Sequence, residues 1–194
     1  MKRWTLFGLI TVLLVLLAAC GSNELENTLG WEVGTLEATT HQKENFSTDD
    51  MEGQVWIADF IFTSCNTVCP PMTRNMMKVQ EGLKDEGVDA QIISFSVDPT
   101  VDTPDKLAEF GSKYGADMNS NWTFVTGYNQ ETIADFANNS FKTHADKIEG
   151  NDQVIHGNRF YLVGKDGTVL KRYNGSEDVP FEQIIADTQT AASQ

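Results

Sequence analysis

An α/β domain, with a central mixed β-sheet flanked by helices, is what this sequence predicts, and three observations predict it. Strand-like and helix-like segments alternate from Trp31 onward in the 194-residue chain, the pattern of a layered sheet-and-helix unit. Two of the strand-like segments, Val55 to Phe62 and Gln91 to Val97, are apolar almost throughout, as strands buried on both faces must be. Between the first of these and a proline-started helix lie Cys65 and Cys69, four positions apart. The length suits one domain with a tail, and a hydrophobic content of 40% is enough for a sizeable core.

Taken in order, Val33 to Ala38 reads as a short strand that extends the sheet at its N-terminal side. Val55 to Phe62 follows as the central strand, with Asp59 unexpectedly inside it. From Pro71 to Leu83 the residues Met72, Met76, Val79 and Leu83 recur at helical spacing. Pro70 and Pro71 suit the first turn, where a missing N–H costs nothing. Gly87 marks the loop before the second buried strand, Gln91 to Val97. Asp98-Pro99 ends that strand, and Thr103-Pro104-Asp105 opens a helix carrying Leu107, Phe110 and Tyr114 on one side. A strand over Trp122 to Val125, a helix over Gln130 to Asn138 and a charged polar loop from Lys142 to Asp152 come next. Val154 to His156 leads into a strand from Arg159 to Val163. Lys165-Asp166-Gly167 turns the chain into Val169 to Tyr173, and Pro180 to Thr188 closes it as a helix. Strand–helix–strand first, hairpin and helix last, and a cysteine pair at the first strand-to-helix junction make the thioredoxin-like fold the economical choice.

The net charge of −14, with a pI near 4.4, excludes nucleic acid as a partner, because no basic cluster is present to neutralise phosphates. At the N-terminus Lys2 and Arg3 precede an apolar run from Leu6 to Leu17, then Leu17-Ala18-Ala19-Cys20-Gly21-Ser22. This is the layout of a secretory signal. Trp4 to Ala19 is 16 residues, short of the about 20 that a membrane-spanning helix needs. The stretch resembles a bacterial lipobox, which implies that Cys20 is lipidated and becomes the first mature residue; an uncleaved anchor is the other reading. Either way the domain faces outward from the cell membrane. The expected organisation is a signal peptide over 1–19, a lipidated tether over 20–30 and the thioredoxin-like domain over 31–194. Cys65 and Cys69 then remain as a pair in a space where thiols oxidise unless they are kept reduced or hold a metal.

A thiolate is favoured at a helix N-terminus, where unpaired N–H groups and the helix dipole stabilise negative charge. Residues four apart on a regular helix have Cβ atoms about 5 to 6 Å apart, too far for a relaxed disulfide. The wide bite suits a metal at least as well as a reversible disulfide, and a plain stabilising disulfide or two buried free thiols is the bland alternative. His156 sits in Val154-Ile155-His156-Gly157, the loop that faces the cysteines in a thioredoxin-like fold, with Gly157 allowing close backbone approach. Thioredoxin carries a cis-proline there to guide disulfide substrates. Here the only proline after Pro104 is Pro180. Two thiolates and an imidazole suit Cu(I) and can hold Cu(II); zinc could take the same three with water. His41 and His144, in polar segments, read as turn or surface residues, and Met72 and Met76 as core rather than soft ligands. A buried acid needs a hydrogen bond or a counter-charge. Asp59 is therefore expected to contact a basic group or to tune the thiols from beneath. Asp98 is expected to cap the turn at Pro99 and to shape the loop near the metal.

Together Thr63-Ser64-Cys65-Asn66-Thr67-Val68-Cys69-Pro70, Ser96-Val97-Asp98-Pro99 with Asp102-Thr103-Pro104, and His156 with Phe160-Tyr161-Leu162-Val163 and Asp166-Gly167 resemble the Sco (SenC) family of copper-binding thioredoxin-like proteins. The resemblance spans nearly all of the chain from residue 31. It implies copper, as Cu(I) or Cu(II), bound by Cys65, Cys69 and His156, and a role in maturing the CuA centre of cytochrome c oxidase subunit II. Asn66-Thr67 replaces the Pro-Asp often seen in that family, and Gly157 follows the histidine where Ser is common; neither change removes a ligand. The rival reading is a thiol–disulfide oxidoreductase that reduces the cysteines of the CuA site, itself recharged by a thiol–disulfide reductant. It needs Cys65 and Cys69 but not His156. A peroxidase fits less well, because Thr63 stands two residues before Cys65 rather than three.

Overall fold

The computed structural model describes residues 25–147 and 154–194. The expected signal peptide and Cys20 lie outside the described residues. Three short strands come first: β1 (Trp31–Glu32), β2 (Glu37–Thr40) and β3 (Asn45–Ser47), followed by a 3-10 turn at Thr48–Met51. Next are β4 (Trp56–Ile61), helix α1 (Cys69–Asp85), β5 (Gln91–Ser96), α2 (Pro104–Lys113), β6 (Trp122–Thr126) and α3 (Gln130–Phe141). The chain continues through β7 (Ala145–Lys147), β8 (Val154–His156), β9 (Arg159–Val163), β10 (Thr168–Asn174) and α4 (Phe181–Ser193).

One sheet runs in the order β1-β10-β9-β4-β5-β6-β2-β3, with β7 and β8 paired separately. β4 and β5 are parallel, as are β5 and β6, and β9 joins β4 antiparallel. All six residues of β4 are buried, because sheet neighbours lie on both its edges and helices cover the faces. That is why it reads as an apolar run. This is the mixed, helix-flanked thioredoxin-like sheet that the sequence predicts.

Two of the helices start at side-chain caps. Thr103 accepts from the Lys106 N–H to cap α2, and Asn129 accepts from the Thr132 N–H to cap α3. α1 lays Met72, Met76, Val79 and Leu83, all fully buried, against the sheet, so the two methionines are core.

Two elements differ from expectation. No continuous strand forms over 33–38: Val33 donates to the Gly167 carbonyl and Gly34 to Ser140 Oγ on α3. The segment thus leaves β10 after β1 and joins β6 as β2 at the far side of the sheet. The N-terminal extension is real but divided, and it leaves only a two-residue and a three-residue strand at the sheet's edges. The polar loop expected over 142–152 contains β7, whose Ala145 is the Cα partner of His156.

The core centres on aromatic rings. Phe141 meets Trp56, Phe60, Phe95, Phe136 and Tyr161, with centroids 5.1 to 6.3 Å apart. Phe141→Ala is expected to cost about 3–5 kcal/mol of unfolding free energy, measured by urea denaturation; a loss below about 1 kcal/mol would mean that the site collapses around the gap.

Candidate metal centre

β4 delivers the chain to the site and α1 begins in it. Cys65 donates its N–H to the Phe62 carbonyl at 3.2 Å, which folds the loop back on the strand end. Val68 sits at the N-cap position without a side-chain bond, and Pro70 and Pro71 follow Cys69. Of the first three helical residues only Cys69 has an N–H to offer, and it donates to Cys65 Sγ at 3.3 Å. An unsatisfied helix donor is thereby spent on sulfur. Cys65 lies in the loop and Cys69 at the helix entrance, as predicted, and both are free thiols.

His156 reaches the pair from β8. Its Nε2 stands 3.3 Å from Cys69 Sγ, and its Nδ1 lies 2.9 Å from the Gly157 carbonyl. A carbonyl only accepts, so Nδ1 carries a proton, and that bond orients the ring with Nε2 facing the thiols. Phe62 packs edge-on to the imidazole, with centroids 5.5 Å apart. The close approach at Gly157 is required: a Cβ there would meet Thr143 Oγ1 at 2.2 Å. The ligand atoms of Cys65, Cys69 and His156 all lie within 4.8 Å of one another.

The two sulfurs are electrostatically unequal. The hydrogen bond from the Cys69 thiol is the largest influence holding the Cys65 thiol well below the usual range. Burial opposes it, and His156 and the backbone at Cys69 and Thr67 add to it. Cys69 goes the other way, raised first by burial and then by its bond and charge interaction with Cys65. One proton is shared, with Cys65 as the thiolate.

The two acids are satisfied in different ways. Asp59 is completely buried beneath the site and accepts from Ser94 Oγ at 2.6 Å, rather than from a basic side chain. Its Oδ2 is buried without a hydrogen-bond partner. Burial pushes its carboxyl up to about 7, with Ser94 and the charge of His156 pulling the other way. Its charge is felt by Cys69. Asp98 is not among the site's donors; it accepts from Lys147 Nζ at 2.6 Å and from Thr100 Oγ1 at 2.8 Å. His41 is buried rather than superficial, its Nδ1 accepting from the Phe124 N–H at 3.3 Å, while exposed His144 pairs with Asp146. Asp102, Lys147 and Gln130 were not assigned roles from sequence. Their partners lie 6 to 49 residues away, and all three stand in polar stretches that signal no buried role.

Fold and site together define a thioredoxin-like protein with a buried dithiol–imidazole cluster. The family model described as SCO1/SenC matches residues 31–193, and the chain belongs to that family. The "SCO1 protein homolog" of Bacillus subtilis (strain 168) is 46% identical over 182 residues, 94% of each chain. Among solved structures, a SCO1/SenC family lipoprotein from Bacillus anthracis is similar with TM-score 0.83 and 45% identity, over 87% of this chain and 99% of that one. BsSco, described through a disulfide switch and as a member of the Sco family of cytochrome c oxidase assembly proteins, gives TM-score 0.81 and 47% identity, over 88% and 99%.

Two outcomes follow from the proton inventory. Limited alkylation with iodoacetamide at mildly acidic pH should modify Cys65 at least about tenfold faster than Cys69, read by peptide mass spectrometry; the reverse order would overturn the assignment of charge. Asp59, raised from 3.8 to about 7, makes a contribution that is complete below the first value and gone above the second. Between them the native protein holds a proton that the unfolded chain has released, so stability falls as pH rises, by at most about 1.4 kcal/mol per unit. Asp59→Asn should flatten that slope in urea titrations across the window; an unchanged slope would refute the account.

Proposed function

We propose that this chain is a membrane-tethered copper metallochaperone that serves assembly of the CuA centre in cytochrome c oxidase subunit II. The observation that carries the reading is the convergence of Cys65, Cys69 and His156, with Nε2 of the histidine freed by the bond at Nδ1. Two thiolates and a neutral imidazole match Cu(I) and hold Cu(II). Copper is the cargo, and these three residues are its ligands. Because Cys69 keeps its proton while Cys65 is charged, loading replaces that proton with metal, and it requires the dithiol to be reduced. Residues 1–19 act as the signal peptide, Cys20 as the lipidated residue and 20–30 as the tether, which keeps the domain on the extracytoplasmic face. The similar Bacillus anthracis protein is described as a lipoprotein, which supports this; no described helix is long and apolar enough to cross a membrane. Tethering raises the concentration near an integral oxidase subunit without demanding a tight interface.

A second reading, thiol–disulfide exchange, is favoured by the depressed Cys65 thiol and by the disulfide switch described for BsSco. In that reaction Cys65 sulfur attacks a target disulfide and one target thiolate leaves. Cys69 then displaces the second, ending as the Cys65–Cys69 disulfide, and a separate thiol–disulfide reductant must return two electrons.

Titration of the reduced protein with Cu(II), followed by absorption and EPR, separates the two. The expected result is a sulfur-to-copper charge-transfer band saturating at one equivalent, altered or lost in His156→Ala and abolished in Cys65→Ala and Cys69→Ala. Copper affinity unchanged by His156→Ala would remove the three-ligand site. Conversion to a disulfide without retained copper would favour the exchange reading.

A further inference from the structure

The turn after β5 lies between the two halves of the site and bonds to both. On one side is Asp102, 2% exposed. Its carboxylate accepts the Thr63 N–H at 3.1 Å, the Thr63 hydroxyl at 2.6 Å and the Ser96 hydroxyl at 2.6 Å. Thr63 is the root of the cysteine loop, directly after Phe62. On the other side is Asp98, 1% exposed, paired with Lys147 Nζ, which also donates to Thr100 Oγ1 at 2.9 Å. Lys147 ends β7, and β7 is the partner of the strand that carries His156, with Lys147 opposite Val154 and Ala145 opposite His156. Gln130 adds a second strap, its Nε2 donating to the Val97 carbonyl at 3.1 Å and the Ala145 carbonyl at 3.0 Å.

β7 and β8 are three residues each and, among the described residues, pair only with one another. A ribbon that short is not stable alone, and its ladder does not fix where His156 stands relative to Cys69. An external anchor must, because a metal site needs its donors placed to within about 0.5 Å. We propose that the Ser96–Asp102 turn is a clasp that sets the separation of the thiols and the imidazole. Asp102 positions the cysteine loop; Asp98, acting through Lys147, positions the histidine strand. Neither carboxylate bonds to a ligand atom, so both are positioning residues. Removing Lys147 leaves a nearly buried carboxylate with the Thr100 hydroxyl but without its counter-charge, and it unties β7 from the turn. The proposal rests on the copper reading for its purpose but not for its test.

The test is hydrogen exchange on the reduced, metal-free full-length protein, read by peptide segment. Lys147→Met should speed exchange at 145–147 and 154–156 by about tenfold or more while leaving 63–69 as in the wild type. Lys147→Arg, which keeps the charge and a donor, should restore protection. Asp102→Asn should do the converse, loosening 63–69 and not 154–156; should that variant fail to fold, Thr63→Val removes the hydroxyl arm alone and is read in the same way. With Cu(II) added, Lys147→Met should move the EPR hyperfine pattern toward that of His156→Ala. Exchange that is unchanged, or that rises equally in both arms, would overturn the clasp. Because the exchange readout contains no metal, failure of copper to bind would not mimic either result.

Discussion

The single N–H of Cys69 aimed at Cys65 Sγ is the contact on which the rest of the site depends. A negative sulfur inside an apolar fold is costly unless donors face it. The two prolines after Cys69 remove competing donors from the helix start, and the loop bond from Cys65 to Phe62 holds the sulfur in front of the donor that remains. The aim of that donor is fixed in turn by Met72 and Met76, fully buried on the inner face of α1. A sheet, a helix and a loop are thus arranged so that one dipole meets one charge.

The parts of this arrangement that were legible in the sequence are the local ones. A strand end, two prolines and a four-residue cysteine spacing lie within a dozen positions, and each states its own backbone preference. His156 was legible at one remove, because the fold class fixes which loop faces the first helix. β7 was not: Ala145-Asp146-Lys147 is too short to show an alternating pattern, and it sits in a charged stretch that reads as loop. The division of the N-terminal strand was hidden for another reason. Its cause is a bond from Gly34 to Ser140, 106 residues away. Burial of an acid can be inferred from its apolar neighbours, but its partner cannot: Ser94 is 35 residues from Asp59, and Lys147 is 49 from Asp98.

Three buried acids within one small region illustrate how differently the same side chain can be stabilised. Asp102 is satisfied by hydroxyl and amide donors, Asp98 by a cation, and Asp59 by one hydroxyl with an oxygen left over. Burial pushes the carboxyl of Asp59 up to about 7 and raises that of Asp102 as well, but of the three it is Asp59 whose charge is felt by Cys69. Adding its full charge to a pocket that already holds the Cys65 thiolate works against both groups, which is why its proton and that of Cys69 are held in the same direction.

That shared resistance to charge explains the choice of donors. Without metal, one thiolate and one thiol leave the pocket with a single negative sulfur, which the Cys69 thiol and then the Cys69 N–H support. With copper the second thiolate becomes stable, since the metal brings the compensating positive charge with it. A third anionic donor would tie the cation down further and leave the metal-free pocket harder to maintain. A neutral imidazole completes the set without adding charge, and its position on a separate two-stranded ribbon lets the third ligand be positioned independently of the other two. For a protein whose proposed task is to give its metal away, a donor set with two ligands fixed in the core and one carried on a ribbon held by side-chain bonds is the physically consistent solution.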